Sequence, residues 1–170
     1  MSRKTDMEIV PKVGDVFLIP LDEATAVGGQ VIAIRENEEL YLAVFDQRLR
    51  RDEADPEVAV SGKPVLLTLS FDAKFFHGDW PIIGNLIDIV DRYPELVFKV
   101  KHAGVMSIES RDKRTRRPAT AGEIEVLEYR SVAAPAIIED AIKAHFGIGQ
   151  WSESYDKRRA EYARASSKII

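Results

Sequence analysis

Apolar residues along the first two thirds of the chain occur in short runs with the length and composition of β-strands. These runs are rich in Val, Ile, Leu and Phe and end at Gly, Pro or charged turns, a pattern typical of buried strands. They cover residues 13–21, 30–35, 40–45, 64–71, 80–83, 96–101 and 104–109. Because short turns connect the first three runs, we predict that these form an antiparallel meander.

The run at residues 80–83 opens the segment Trp80-Pro81-Ile82-Ile83-Gly84-Asn85. Pro81 restricts the backbone on both sides of it, and the two isoleucines favour a pleated surface. Gly84 and Asn85 are residues that tight turns prefer. We therefore predict a short core strand that ends in a tight turn, with the Trp80 indole as the largest single piece of the core.

The connections between these runs are less regular. Residues 46–63 are charged and predict a long surface loop or a short helix, and residues 86–93 fit either a short helix or an irregular connection. The adjacent Phe75 and Phe76 cannot both face inward on an extended backbone, which makes one of them a candidate for exposure. The basic run at residues 111–117 is predicted to be the solvated end of a hairpin whose second arm is residues 121–129.

The hydrophobic period changes near the C-terminus. Apolar residues recur at helical spacing over residues 135–146 and Gly147 follows as a C-cap, so we predict an amphipathic helix packed on the sheet. Ser152 can cap a second helix that runs to about residue 165 and has few apolar side chains. It would dock by an aromatic edge, contact a partner or fray, and we expect folding not to require it.

These elements together predict an α+β protein with a curved, mainly antiparallel β-sheet, barrel-like if it closes, and one or two C-terminal helices. The length of 170 residues fits one core. We predict a single domain over residues 1–150 and a C-terminal helical extension over residues 151–170.

Composition narrows the class of protein. The chain is 45% hydrophobic and 31% charged, as in ordinary soluble domains, and its lack of cysteine excludes disulfides, thiolate nucleophiles and sulfur-based zinc sites. No apolar run has the length of a membrane span, and residues 1–8 lack the apolar stretch of a secretory signal. We therefore predict a cytoplasmic protein without a membrane partner.

Charge is unevenly distributed along the chain. Residues 1–110 carry 12 Lys and Arg against 19 Asp and Glu, a net −7, whereas residues 111–170 carry 12 against 9, a net +3. One acidic span holds Glu36, Glu38, Glu39, Asp46, Asp52, Glu53, Asp55 and Glu57. It is either a solvated loop surface or a field that attracts a basic partner. The basic run lacks interleaved aromatic residues on which bases could stack, so we predict no nucleic-acid partner.

Side chains that carry chemistry are scattered. His77, His102 and His145 lack the spacing of a helical metal motif, and Gly28-Gly29 precedes a strand, where a phosphate-binding fingerprint would precede a helix. No nucleophile stands beside a base. We predict no catalytic residue, metal or cofactor. Four carboxylates near the Trp80 segment either cap turns or rim a pocket: Asp72, Asp79, Asp88 and Asp91.

Several segments occur in the order seen in a known family. They are Gly14-Asp15-Val16-Phe17-Leu18-Ile19-Pro20-Leu21, Gly29-Gln30-Val31, Pro64-Val65-Leu66 and Trp80-Pro81-Ile82-Ile83-Gly84-Asn85. Over roughly residues 12 to 90 the chain thereby resembles the immunity protein 26 family. One departure is visible: the family usually has an aromatic residue just before the Gly-Gln-Val element, where this chain has Ala26-Val27-Gly28.

The resemblance implies a non-enzymatic immunity protein that binds and neutralises a cognate toxin of a bacterial polymorphic toxin system. Candidate toxin-binding residues surround the Trp80 segment: Asp72, Phe75, Phe76, Asp79, Asp88 and Asp91. The alternative is a small-ligand or protein-interaction module with a pocket near Trp80. A third class, a hydrolase whose catalytic groups only the fold brings together, fits the sequence least.

Overall fold

A computed structural model describes residues 9–35 and 39–170 and shows two antiparallel sheets with helices packed on them. The strands are β1 (Asp15–Pro20), β2 (Thr25–Ile34), β3 (Leu40–Arg50), β4 (Pro64–Ser70), β5 (Ile82–Asn85), β6 (Val97–His102), β7 (Val105–Ser110) and β8 (Arg116–Pro118). The helices are α1 (Pro56–Ala59), α2 (Ala73–Phe76), α3 (Ala121–Val126), α4 (Pro135–His145) and α5 (Ala160–Ser167), with 3₁₀ helices at Ile87–Arg92 and Glu153–Arg158. The N-terminal lead at residues 1–8, and Glu36 and Glu38 of the acidic span, lie outside the described residues.

The first sheet has the strand order β4-β3-β2-β1-β5, with every pairing antiparallel. The predicted meander and the α+β class are therefore confirmed. The barrel-like closure is wrong, because β4 and β5 end the sheet without pairing to each other. Strand β3 runs to Arg50, five residues beyond its predicted end, and the short helix expected in residues 46–63 is α1.

Both faces of the first sheet are buried. On one face, Phe17, Val31 and Leu42 pack against α4 through Ile138 and Ile142. On the other face, the alternate residues of the same strands form a second cluster, with Val16, Tyr41, Ala43, Phe45, Leu67 and Leu69 packed against α1 and α5. Covering on both faces explains why these strands are nearly continuous apolar runs with little polar alternation.

Trp80 is a core residue, as predicted, and is fully buried. Its ring stacks on Phe17 at a centroid distance of 5.4 Å and meets Phe75 edge-on at 5.5 Å. Its Nε1 donates a hydrogen bond to Glu139 Oε1 on α4 at 2.8 Å. The predicted turn is wrong, since Gly84 and Asn85 belong to β5 and a Cβ on Gly84 would lie 2.6 Å from Pro56 Cγ. Gly84 therefore allows α1 to approach β5 closely.

The second sheet has the order β6-β7-β8. Strands β6 and β7 were predicted, but residues 121–129 are not the arm of a hairpin. Thr120 and Glu123 form a capping box that starts α3 there, and the last strand, β8, overlaps the end of the basic run. The local cap therefore prevails over the apolar pattern of Ile124, Val126 and Leu127.

The C-terminal segment packs more closely than its sequence predicts. Helix α4 has its expected position, and Ser152 caps a helical segment as expected. That segment is a 3₁₀ helix, however, and the extended backbone at Arg159 separates it from α5. Ala160 and Ala163 of α5 are fully buried, so this segment docks on the second core cluster, and the expectation that folding does not require it stays a prediction. The domain boundary at residue 150 stays a prediction.

Candidate partner-binding surface

Three of the four family-like segments, those containing Gly14, Gln30 and Asn85, meet at one polar junction. Gln30 is fully buried, and its Nε2 donates hydrogen bonds to the carbonyl oxygens of Gly14 at 3.3 Å and Leu86 at 3.0 Å. The Tyr93 hydroxyl donates to Gln30 Oε1 at 3.2 Å. Asn85 Nδ2 donates to the Val13 carbonyl at 3.0 Å. Buried polar groups satisfied in this way hold β1, β2, β5 and the segment after β5 in one arrangement.

Gly28 and Gly29 serve close packing. A Cβ on Gly28 would overlap the carbonyl group of Ala59, and a Cβ on Gly29 would overlap the ring of Phe17. The space in front of both glycines is therefore filled by the protein itself. This agrees with the interpretation that the pair is not a phosphate cradle.

The junction supports an exposed 3₁₀ helix, Ile87–Arg92. It follows directly on Leu86, whose backbone N–H donates to the Gly14 carbonyl at 2.9 Å. Ile87 is 56% exposed, and Asp88 and Asp91 are exposed as well. Two of the predicted partner-binding carboxylates thus lie on a short surface element held from beneath by the family-like residues.

Asp72 and Phe76 line a cleft of about 250 Å³ on the face of the sheet that carries α4. Its other lining residues are Ile9, Val10, Pro11, Ile34 and Leu40, and we call it the apolar cleft. Val10 is 68% and Phe76 46% exposed. The prediction that one of two adjacent phenylalanines is exposed is confirmed. Phe75 is fully buried against Phe17 and Trp80, so Phe76 alone presents its ring.

Asp91 lines a different cleft, of about 260 Å³, beside Ala33, Tyr41 and Arg111. The two clefts flank the β2–β3 hairpin, since Ile34 and Leu40 line the first and their neighbours Ala33 and Tyr41 line the second. Successive strand residues point to opposite faces. The structure therefore separates Asp72 and Phe76 from Asp91.

The remaining candidate, Asp79, lies 3.8 Å from Lys74 Nζ in an ion pair, with 56% of its side chain exposed. Sequence reasoning missed Ile9, Val10 and Ile34 of the apolar cleft. The signal was present at Ile9-Val10-Pro11, an apolar triplet that ends an otherwise polar lead. The sequence does not reveal the position of α2, which places Phe76 beside this triplet.

Part of the acidic span is neutralised within the molecule. Two of its carboxylates pair with arginines, Glu39 with Arg130 and Asp52 with Arg50 at 3.1 Å, whereas Asp46 Oδ1 lies within hydrogen-bond distance of His145 Nε2, at 3.0 Å. Asp55 caps α1 by accepting a hydrogen bond from the Glu57 N–H at 2.9 Å. The described part of this span therefore contributes less to an external field than its charge count indicates.

The basic run is also used internally. Arg111 pairs with Glu95 at 3.2 Å, Arg116 with the buried Glu109, and Arg117 with Glu123 at 2.7 Å. The hydrogen bonds from Arg117 and from the Thr120 backbone lower the pKa of Glu123 to about 2. Arg114, with 88% of its side chain exposed, lies 3.7 Å from Asp112, so Lys113 is the cation of the run that takes part in no ion pair among the described residues.

Trp80 is fully buried and lines neither of these two clefts. Over residues 9–35 and 39–170, no three His, Asp or Glu side chains come together as metal ligands. No helix within these same ranges has the length and hydropathy to cross a membrane.

Comparison with known proteins gives one family. The model described as Immunity protein 26 matches residues 12–106, which is more than half of the chain. No curated protein and no solved structure matches the chain. The matched range contains the polar junction, the exposed 3₁₀ helix and, apart from Ile9, Val10 and Pro11, the lining of the apolar cleft.

Proposed function

The chain belongs to the immunity protein 26 family, and from this membership we propose that it binds and neutralises a cognate bacterial toxin domain. The toxin is part of a polymorphic toxin system, and neutralisation takes place in the cytoplasm of the cell that makes both proteins. The immunity protein catalyses no reaction. It acts by covering the toxin's active site, which requires a stable interface and slow dissociation.

The observation that supports this proposal best is the apolar cleft. Phe76, Val10 and Ile34 expose apolar surface around one concavity, and Phe71 next to Asp72 is 44% exposed as well. Contiguous apolar surface of this kind marks an interaction site more often than isolated exposed residues do. An aromatic side chain at the centre of such a patch is the usual anchor of a protein interface.

The electrostatics favour a basic partner. Asp72, Asp88 and Asp91 take part in no ion pair among the described residues, so their charges remain directed at solvent. Residues 1–110 carry a net −7. Such a field would raise the rate of association with a cationic toxin, as a nucleic-acid-cleaving enzyme presents, more than it would strengthen the final complex.

The test is binding kinetics with the toxin domain encoded beside this protein. Phe76→Ala should speed dissociation at least about tenfold, since it removes the aromatic anchor. Val126→Ala is the matched control, because Val126 is 66% exposed on α3, away from the apolar cleft. It should leave both rates unchanged. Melting temperatures equal to that of the parent would show that neither change acts through unfolding.

Salt separates the electrostatic part of the proposal from the rest. Between about 50 and 500 mM salt, association should slow markedly and dissociation should change little, because screening acts on exposed charges. Asp72→Asn should reduce this salt dependence. An association rate indifferent to salt would remove the argument for a cationic partner. No binding to the neighbouring toxin domain at all would overturn the proposed function.

A further inference from the structure

A third cleft lies on the opposite face of the first sheet from the apolar cleft, and we propose that it binds a small aromatic carboxylate. Its volume is about 300 Å³. We call it the arginine cleft, and it is lined by Phe45, Val60, Ser61, Gly62, Pro64, Leu67, Arg92, Tyr93, Pro94 and Arg164. Its residues come from three stretches that are distant in sequence. These are the α1–β4 connection with strands β3 and β4, the end of the exposed 3₁₀ helix with the residues after it, and α5.

The floor of the arginine cleft is apolar and rigid. Phe45 and Leu67 belong to the buried core of this face, and Val60 is only 5% exposed. The rings of Phe45 and Tyr93 stand 6.3 Å apart at 59° and form an aromatic corner. Because Phe45 is fully buried, the partly exposed Tyr93 ring is the aromatic surface of this corner that a flat ring can contact, stacked or edge-on. A volume of about 300 Å³ lies at the lower limit for ligand pockets, so the ligand has about one ring.

The rim of the arginine cleft is cationic. Its lining contains the guanidinium groups of Arg92 and Arg164 and no carboxylate. Among residues 9–35 and 39–170, neither arginine takes part in an ion pair. Two guanidinium groups without a carboxylate partner around an apolar floor provide the recognition that a carboxylate requires.

Arg92 is held in place before any ligand arrives. Its Nη2 donates to the Val60 carbonyl at 3.3 Å and to the Tyr93 hydroxyl at 3.1 Å, and its guanidinium carbon lies 5.2 Å from the centre of the Tyr93 ring. A guanidinium has five N–H donors, so these contacts leave donors for a ligand. Because the group is already oriented, binding would cost little side-chain entropy.

The test uses the full chain and three probes: benzoate, its uncharged isostere benzamide, and inorganic phosphate. Benzoate should produce saturable shifts of the backbone amide NMR signals of Ser61, Gly62 and Tyr93. Benzamide and phosphate should each bind at least about tenfold more weakly, since one lacks the charge and the other the ring. Equal binding of benzamide and benzoate would overturn the need for an anion, and equal binding of phosphate would overturn the need for a ring.

Substitution of a rim arginine tests whether benzoate binds in the arginine cleft. Arg164→Gln should weaken benzoate binding about tenfold, the effect of losing a charge-assisted hydrogen bond. Arg164 is exposed on α5 and has no side-chain hydrogen bond in the described structure, so its loss should leave the fold intact. Arg114→Gln is the matched control, since its side chain is 88% exposed on the β7–β8 turn. Unchanged benzoate affinity in Arg164→Gln, or no saturable shift with benzoate in the parent, would overturn the proposal.

A further probe in the same experiment distinguishes two sources of the carboxylate, a protein C-terminus and a small free acid. A blocked dipeptide that ends in phenylalanine carries the same chemistry as the C-terminus of a protein. Tighter binding of this dipeptide than of benzoate would assign the cleft to a chain terminus, and weaker binding would assign it to a free metabolite-sized acid. Phe76→Ala should affect none of these affinities, so the outcome is independent of the proposed toxin interface.

Discussion

The first sheet and the second sheet are held in the molecule by different interactions. In the first sheet, apolar contacts dominate, with Phe17 stacked on Trp80 and Gly29 leaving space for the Phe17 ring. The second sheet joins the first both through Phe98 of β6, which packs in the second core cluster, and through a buried group of charges. Arg130 reaches Glu39 beside β3 and Glu109 in β7, which is only 2% exposed.

Most hydrogen-bonding groups of the charged side chains between the sheets have a partner. Arg130 Nη1 donates to Glu109 Oε1 at 3.3 Å, and Nη2 donates to Glu39 and to the Arg111 carbonyl at 2.9 Å. Arg116 Nε donates to the second oxygen of Glu109 at 2.9 Å. A buried carboxylate with two guanidinium partners is stable only while both stay in place. Apolar packing therefore tolerates small adjustments, whereas the contacts between Arg130, Glu109 and Glu39 depend on single side chains.

Trp80→Ala should cause the largest loss of stability. Truncating a fully buried tryptophan removes transfer free energy and leaves a cavity, at a cost of about 3–5 kcal/mol. The measurement is the free energy of unfolding in urea. Trp151→Ala is the control, because Trp151 is partly buried and lies 3.9 Å from Arg159, a contact worth about 1–2 kcal/mol. Equal losses from the two changes would contradict the assignment of Trp80 to the centre of the core.

Arg130→Met should cost about 3 kcal/mol, because it leaves Glu109 and Glu39 short of a partner where water has little access. The same urea measurement applies. Arg50→Met is matched, since Arg50 and Asp52 pair with 65% and 66% of their side chains exposed. It should leave the unfolding midpoint unchanged. If both substitutions had the same small effect, the second sheet would not depend on charges.

Ala163→Glu should destabilise the protein by about 2–4 kcal/mol, since it places a polar group without a partner against the second core cluster. Ala165→Glu on the exposed side of the same helix should be tolerated.

We further expect a chain that ends after Gly149 to be recovered only as aggregate, contrary to the expectation from sequence. Soluble, cooperatively melting protein from that truncation would restore residues 151–170 as a dispensable extension.

The smallest effect concerns Arg117 and Glu123 at the surface of α3. The folded pKa of Glu123, about 2, lies below its ordinary value of 4.5, because Arg117 donates hydrogen bonds to the carboxylate. A lowered folded pKa adds stability above the ordinary pKa and loses it as pH falls toward the folded one. Between about pH 6 and pH 2, the unfolding midpoint of the parent should therefore fall slightly more than that of Arg117→Gln. Parallel pH curves would contradict this coupling.

Much of the fold follows from local patterns. The apolar runs predict β1 to β4, β6 and β7, and the helical period with Pro135 and Gly147 predicts α4. The errors occur where a residue has two possible roles. Gly84 and Asn85 are typical of turns, yet here they extend β5 because they pair with Val16 and Asp15 of β1. Residues 121–126 are apolar enough for a strand, yet their capping box starts a helix.

The candidate site was predictable only in part. Sequence reasoning identified Asp72 and Phe76 near the Trp80 segment, and these two share a cleft. It could not separate them from Asp91, because strand alternation and the bulge between Val31 and Ala33 decide which face each neighbour lines. Arg92 and Arg164 were not candidates at all, since 71 residues of chain lie between them and only the packing of α5 on β4 brings them together.

The sequence by itself determined the α+β class, the meander of the first sheet, the burial of Trp80 and the resemblance to an immunity protein family. These depend on hydrophobic period, turn residues and motif order, which act over a few neighbouring residues. Tertiary structure alone decided the open edges of the sheet, the burial of α5 and the partners of Arg130. Those features depend on contacts such as Arg130 with Glu39, which are 91 residues apart. Charge and size make many such pairs possible along the chain, and only the complete packing selects one of them.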